Sequence, residues 1–595
     1  MTRFPPPRIP WQVTGNHWLA LPCIHPADGS LHAVGVVNRA ARAAVEFAGS
    51  ADFLDGGGPP LVRPVLVVGG ERRELAAGGI AWERALGWLP TFSTSAGDIS
   101  LRGTVFAPYG RDADVAGAVY ALSVENRGDV RLDVELALEG TLGHRQQRIR
   151  SPRAFDDAHR VAEVAAQVIV LDGAALPAYA ALAIGTDGHA SVEVSPGPSP
   201  TWSVRRAIGL EPGERRELAF YLGAGPERDG AEATVGVMRR RGWRELLRAT
   251  RAALQSFEQS TGNDALDRVL NRNLLFAYFY SVARALDDAH FYVVRTRSPW
   301  NSHGVTISEW EALSWIIAAV ELADPELARE LLLRMCELHG YAPGSGIRYL
   351  DGTLFQAGFA IEAAAAYPIA FERYMSRTGD DAVLEEPSVA ETLYAVWEDV
   401  EGRRDGHRPL YSTEVTLSGE PAPLPFTAHA NAVVAHALEI LKRTLDEKSA
   451  ERVEDAEAVR ASLRNDFATS RGAGAVLQTA IDLSGAGATE DDPVSSLFWL
   501  PFHGAISRDD AVYRRTVAPL DADGHSHLAT QCARLLGSRS RELLEWVRRA
   551  PLDNGLAAEI VDEDGRAVEN GGDAALAGLL AYTVWNAVHT IGVQT

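Results

Sequence analysis

Cysteine is scarce in this chain. Its 595 residues include three, Cys23, Cys336 and Cys532, with no CxxC pair and no Cys/His cluster, which argues against a disulfide framework or a structural zinc site. Positive charge is also in deficit: 57 Lys and Arg face 79 Asp and Glu, a net charge of −22. Nucleic acids and anionic membranes attract basic faces, so neither is expected as a partner. No apolar run approaches the length needed to cross a bilayer, and the opening MTRFPPPRIPWQV lacks the apolar centre of a signal peptide. A cytoplasmic location is expected. The P-loop, the Rossmann glycine fingerprint, HExxH, the EF-hand and the GxSxG elbow are missing as well. Chemistry without a cofactor and without a metal is therefore expected. Asp562 and Asp564 are close enough in sequence to share a cation, and a plain acidic turn explains them equally.

What is present is ordinary globular material, 46% hydrophobic and 23% charged, in a chain too long for one core. Up to about residue 230 it reads as short strands with turn punctuation. In Tyr120 to Leu138 apolar residues alternate on both sides of Asn126-Arg-Gly-Asp129, the pattern of a hairpin with one buried face. Further strands are expected at Leu61 to Val68, Ala166 to Leu171, His189 to Val194 and Leu218 to Leu222. After Gly236 the pattern changes to helices: Val237 to Ser260 first, then eleven from Asp264 to the end, with Ser495 to Phe502 as a candidate twelfth. The helices include Asp264 to Leu286, Ser308 to Leu322, Leu354 to Thr378 and Asp573 to Val593. The division expected is a β-sandwich over 1–235, a helical linker over 236–262 and a domain of paired helices over 263–595.

Long loops join these helices, and long loops in compact helical domains usually carry function. In Leu410 to Asn431, LYSTEVTLSGEPAPLPFTAHAN, prolines at 421, 423 and 425 fix φ and remove backbone donors, so a stiff extended loop is expected. It carries Glu414 and Glu420. Either is also explained as a solvated loop carboxylate.

A set of strands followed by eleven or twelve paired helices resembles the inverting glycoside hydrolases with an (α/α)6 barrel, the group of glucoamylases, glycogen-debranching-type glucosidases and processing α-glucosidases. Three stretches support the resemblance. Gly555 to Trp585, GLAAEIVDEDGRAVENGGDAALAGLLAYTVW, is similar to the glucoamylase-type ending, whose loop glutamate is the general base; that role falls on Glu559. Ser298 to Trp315, SPWNSHGVTISEWEALSW, resembles the first barrel loop and second helix, with Trp310-Glu311 in place of the usual Arg-Asp pair. Ser418-Gly419-Glu420 resembles the loop that supplies the general acid, making Glu420 the first choice and Glu414 the second.

The resemblance implies a carbohydrate substrate and two carboxyl groups across a gap of roughly 6.5–9.5 Å, one protonating the leaving oxygen and one activating water. The acid must keep its proton near neutral pH through desolvation or a neighbouring carboxylate. Glu420, flanked by Leu417, Leu424 and Phe426, fits that requirement in sequence. Aromatic plates and hydrogen-bonding partners for sugar are sought in Trp300, Trp310 and Trp499, and in Arg295, Arg297, His303, Glu309, Asp351 and Glu362. Competing structural readings are a core role for the tryptophans, a turn at Asp351-Gly-Thr, a capping box at Ser308-x-x-Glu311, and an N-cap at Asp573. A phosphorylase on the same scaffold would show a cationic or Ser/His cluster near Glu559; a lyase would act on an acidic polymer, which the net charge opposes. A carbohydrate-binding protein without turnover is the non-enzymatic alternative.

Overall fold

The computed structural model describes residues 9–73, 75, 79–149, 152–155, 158–164, 167–173, 179–301, 304–471, 474–522 and 525–593. The chain divides into two compact units, Met1–Glu258 with Val282–Val305, and Gln259–Ser281 with Thr306–Thr595.

The first unit is built of antiparallel sheets. Gly117–Asn126 lies between Ile99–Phe106 and Arg215–Gly225 in an eight-stranded sheet, and Leu132–Thr141 lies between Thr201–Leu210 and Arg63–Val68 in a five-stranded one. The two strands expected to form a hairpin therefore belong to different sheets. The alternation was a true sign of strands but not of their pairing, because each inward face, Leu122 and Val124 in one and Leu136 and Leu138 in the other, enters the same apolar core. Asn126 makes the corner between them. Its buried amide donates to the carbonyls of Val130 (2.8 Å) and Leu210 (3.1 Å) and accepts the Gly128 N–H (2.9 Å), satisfying backbone that a hairpin ladder would otherwise pair.

Two helices, α1 (Arg228–Arg241) and α2 (Trp243–Phe257), belong to this unit, so the expected linker is part of a folded body. α1 buries Ala231, Val235 and Met238 and lies against the strands Ala181–Thr186 and Arg215–Gly225. The approach depends on glycine: a Cβ at Gly223 would stand 2.6 Å from the Ala231 carbonyl oxygen. The segment Val282–Val305 also returns to the first unit, where Arg284 N–H donates to the His17 carbonyl at 2.7 Å.

The second unit is mostly helical: α3 (Asp264–Tyr280), a π-helical turn Glu311–Ile316 running into α4 (Ile317–Ala323), α5 (Pro325–His339), α6 (Ile361–Thr378), α7 (Pro387–Glu401), α8 (Ala428–Thr444), α9 (Glu447–Ala450), α10 (Ala456–Asp466), a 3-10 turn Leu497–Trp499, α11 (Ala511–Val517), α12 (Leu528–Ser538), α13 (Arg541–Arg549) and α14 (Ala574–His589). Short polar side chains start them. Asn263, Asp324, Thr427 and Asp573 each accept a first-turn N–H, as the N-cap reading of Asp573 expected. The Ser308 hydroxyl accepts the Glu311 N–H at 3.2 Å, one half of the expected capping box.

Contacts run from α14 to the π-turn and α4, on to α6, α8, the 497–499 turn and α12, and from α12 back to α14, while α3, α5, α7, α10 and α13 pack on members of that cycle. α14 is apolar on nearly every face, as a helix surrounded by others must be. Some expected helices are shorter than their patterns. Leu354–Ala357 is a strand paired with Gly346–Tyr349 through an Asp351-Gly352 turn, so α6 starts only at Ile361; α3 ends at Tyr280, before the strand Val282–Arg284.

Candidate functional site

Several members of the contact cycle bring polar side chains together near their starts. Glu362 is in the first turn of α6, His429 in the first turn of α8, Trp310 at the head of the π-turn and His503 just past the 497–499 turn. All four are buried. His429 Nδ1 stands 3.4 Å from Glu362 Oε1. The rings of Trp310 and His429 are 5.6 Å apart, those of His429 and His503 5.7 Å, and those of Trp310 and His503 6.3 Å. Among the described residues no protein group pairs with Glu362 Oε2, His429 Nε2, His503 Nε2 or Trp310 Nε1. Each such atom costs about 1–3 kcal/mol if left unsatisfied, and more for a charged carboxylate, so this cluster is arranged to meet polar atoms from outside the fold. Burial, with His429 and His436 beside it, holds His503 well below the usual imidazole range, so it is neutral with one donor and one acceptor nitrogen. The sequence reading had Trp310 and Glu362. It missed His429 and His503, although Thr427-Ala-His429 at a helix start was a legible signal for the first.

Glu309, expected to hydrogen-bond a sugar hydroxyl, is committed inside the protein. Its Oε1 accepts the Tyr367 hydroxyl at 2.8 Å and its Oε2 the Gly344 N–H at 2.6 Å, which fastens the 340–360 segment to α6. Burial pushes its carboxyl up to about 7.

The loop before α8 is tied down by Asn431, whose amide accepts the Tyr411 N–H at 2.8 Å and donates to the Tyr411 carbonyl at 3.1 Å, imitating a strand partner. Its acids are not desolvated, and here the expectation fails. Glu414 is 54% exposed and pairs with Arg403 at 2.8 Å. That hydrogen bond, and a second from the Phe359 N–H, hold its carboxyl below the usual range. A group so held donates no proton at neutral pH. Glu420 is exposed, since Pro421, Pro423 and Pro425 around it are themselves at the surface. The loop touches the next one through Ser418 Oγ, which donates to Asp492 Oδ2 at 3.1 Å. Beside Asp492, Asp491 accepts the Ser496 hydroxyl and the Leu497 N–H, and desolvation pushes it up to about 6. Asp491 has the environment sought in Glu420.

Glu559 sits on the strand Ala558–Asp562, paired with Ala567–Gly571 and with His525–His527, rather than on an open loop. Its side chain is 15% exposed, and its Oε1 lies 3.7 Å from His527 Nε2. His527 Nδ1 accepts the Ala529 N–H at 3.1 Å, which places the imidazole proton on Nε2, facing the carboxylate. Asp562 and Asp564 are both engaged with Arg566, the first with its N–H and the second with its guanidinium. Among the described residues no group of three or more His, Cys, Asp or Glu is arranged to hold a metal ion.

Of the other expected residues, some shape the fold locally and three belong to the first unit. Trp499 is a buried wall whose Nε1 donates to the Val494 carbonyl at 3.0 Å. Asp351 accepts the Thr353 N–H at 3.1 Å and shapes a turn. Arg295, Arg297 and Trp300 belong to the first unit, where Arg297 is buried and donates to the carbonyls of Asn16 and His17. His303 lies outside the described residues.

Two solved structures match almost the whole chain. A bacterial glucoamylase complexed with acarbose aligns with a TM-score of 0.59 at 9% identity over 98% of this chain and 94% of its own. A human-microbiome protein assigned as a kojibiose phosphorylase aligns with a TM-score of 0.60 at 10% identity over 99% of this chain and 90% of its own. The fold is glucoamylase-like. At such identities the likeness is one of fold, the one expected from the Gly555 to Trp585 ending. The sequence matches no family model and no curated protein.

Proposed function

We propose that the chain is a carbohydrate-processing enzyme, an exo-acting, anomer-inverting glycosidase on an α-linked oligosaccharide or small glycoside, built on an (α/α)6 toroid. The observation that carries this reading is the buried cluster of Glu362, His429, His503 and Trp310. Its unmatched donors and acceptors suit the hydroxyls of one sugar ring, and Trp310 suits a pyranose C–H face. The closed cycle of helix contacts supports the toroid.

Glu559 is the base in this proposal. Its carboxylate takes a proton from water as the water oxygen bonds to the anomeric carbon, and the glycosidic oxygen leaves with a proton from the acid, inverting the anomer. What supports this is position: the His527 Nε2–H faces Glu559 Oε1 at 3.7 Å. The acid comes from the two touching loops: Glu420 by resemblance, Asp491 by the environment that keeps it protonated to about pH 6. A leaving group of low pKa needs no proton. The acid's removal, Glu420→Gln or Asp491→Asn, should therefore lower turnover of disaccharides by about 10²–10⁴-fold while sparing aryl glycosides with good leaving groups.

A second reading, phosphorolysis, is favoured by Ser526 and His527 on the strand beside Glu559, a Ser/His pair where a phosphate would replace water. One experiment separates the readings: disaccharides and aryl glycosides incubated with and without inorganic phosphate, products followed by NMR. An inverted free sugar without phosphate supports hydrolysis, and a sugar phosphate formed only with phosphate supports the second reading. Binding without any turnover would leave a carbohydrate-binding protein.

A further inference from the structure

Asparagine suits a helix interior poorly, because its short amide competes for nearby backbone groups. α3 nevertheless carries Asn271 and Asn273, and both make the same clamp. Each amide donates to the carbonyl four residues back, Asp267 for the first and Val269 for the second, both at 2.9 Å. Each also grips a separate piece of chain through a second donor and the amide oxygen. Asn271 takes both backbone groups of Gln259, donating to the carbonyl at 2.7 Å and accepting the N–H at 2.8 Å. Asn273 takes the approach to Glu559: it donates to the Gly555 carbonyl at 3.1 Å and accepts the Ala557 N–H at 2.9 Å. That approach lies outside the strand that starts at Ala558, so the buried Asn273 amide supplies partners that no sheet ladder provides. Beside it, Arg272 Nε donates to the Asn554 carbonyl at 3.3 Å. The Ala557 carbonyl accepts the Asp573 N–H at 3.0 Å, where α14 begins. Ala557, two residues before Glu559, is thus fixed to α3 through its N–H and to the start of α14 through its carbonyl. Past Glu559, Ile560 pairs with His527.

We propose that Asn273 is a positioning residue for Glu559: by holding Gly555 and Ala557 against α3, it sets where the Glu559 carboxylate meets the attacking water. The role rests on Glu559 being the base of the proposed reaction. A carboxylate so close in sequence to a pinned peptide moves when the pin is released, and a displacement on the order of 1 Å can cost about 10²-fold in rate. Asn271 makes the same kind of clamp from the same helix, on a segment that carries no proposed site residue. It therefore separates the cost of a lost clamp from the cost of a displaced base.

The test is kinetic, on the aryl glycosides and disaccharides used to separate hydrolysis from phosphorolysis. Asn273→Ala should lower kcat tenfold or more with KM within twofold of wild type, since the cluster of Glu362, His429, His503 and Trp310 is untouched. Asn271→Ala should leave both constants within twofold. In a Glu559→Gln background no base remains to be placed, so adding Asn273→Ala should lower the residual turnover by less than twofold. Deuterium exchange read by mass spectrometry should quicken in the 553–562 peptide of Asn273→Ala and stay unchanged in the 404–427 loop. Circular dichroism checks each fold. Should Asn273→Ala fail to fold, Asn273→Asp takes its place with the same expected pattern, since it keeps the shape and the acceptor for Ala557 N–H but loses the donor to Gly555. Equal losses in the two backgrounds, an equal loss from Asn271→Ala, or an unchanged kcat would overturn the positioning role and leave the base in place. A Glu559→Gln enzyme as active as wild type, or a wild type without turnover, would overturn the base assignment and this role with it.

Discussion

The loop 404–427 and the first turn of α6 both carry acids in the second unit, and they treat those acids in opposite ways. Glu414 is 54% exposed and neutralised by a surface arginine, whereas Glu362 is 1% exposed with one imidazole 3.4 Å away and one oxygen unmatched. Prolines stiffen the loop, but stiffness does not remove water. Desolvation comes from being surrounded, and the helix starts are surrounded by other helices. Asp491 lies between these extremes: a loop residue, yet buried enough to keep its proton to about pH 6.

The sharpest test of this comparison is catalytic. Glu559→Gln keeps the shape of a mostly buried side chain and removes the proton acceptor, so turnover should fall by about 10²–10⁴-fold with the melting temperature nearly unchanged. An active Glu559→Gln enzyme would remove the base assignment. Next in size is the pH dependence of stability. Asp491 is raised from 3.8 to about 6 in the folded chain, so between those values the unfolded chain has released this proton while the folded chain still holds it. Stability therefore falls as pH rises through that window, by about 3 kcal/mol from this group. Asp491→Asn keeps the acceptor for Leu497 N–H and supplies a donor for Ser496, so urea midpoints should show the variant gaining on wild type from pH 4 to pH 7 by about that amount.

Smaller effects follow. Glu362→Ala leaves His429 Nδ1 unmatched in a buried site and should destabilise by about 1–3 kcal/mol in urea unfolding, while raising KM for any turned-over glycoside. Glu414→Gln should change stability by no more than about 1 kcal/mol, because the pair it breaks is exposed, and should leave turnover as it was. If Glu414→Gln mattered more than Glu362→Ala in the same assays, the contrast drawn between loop and helix start would be reversed.

Much of the fold was legible because it is locally encoded. Alternation in Tyr120 to Leu138 marked two strands, and Asp573, Ser308 and the Asp351-Gly352 turn did what short polar residues do at helix and turn positions. The pairing of those strands was not legible, since a strand's alternation says which face is apolar and nothing about which neighbour it meets. The buried cluster was legible in part. Trp310 and Glu362 stood out in sequence, but Glu309 and Arg297 proved to be taken up by Gly344, Tyr367, Asn16 and His17, partners distant along the chain.

What the sequence determined by itself is the order of a strand-rich and a helical region and the caps that start helices, set by interactions within a few residues. Which carboxyls lose water was decided only by the tertiary structure. Desolvation is the sum of contacts from segments far apart in the chain, and Glu362, His429 and His503 share an environment that none of their own sequence neighbours could supply.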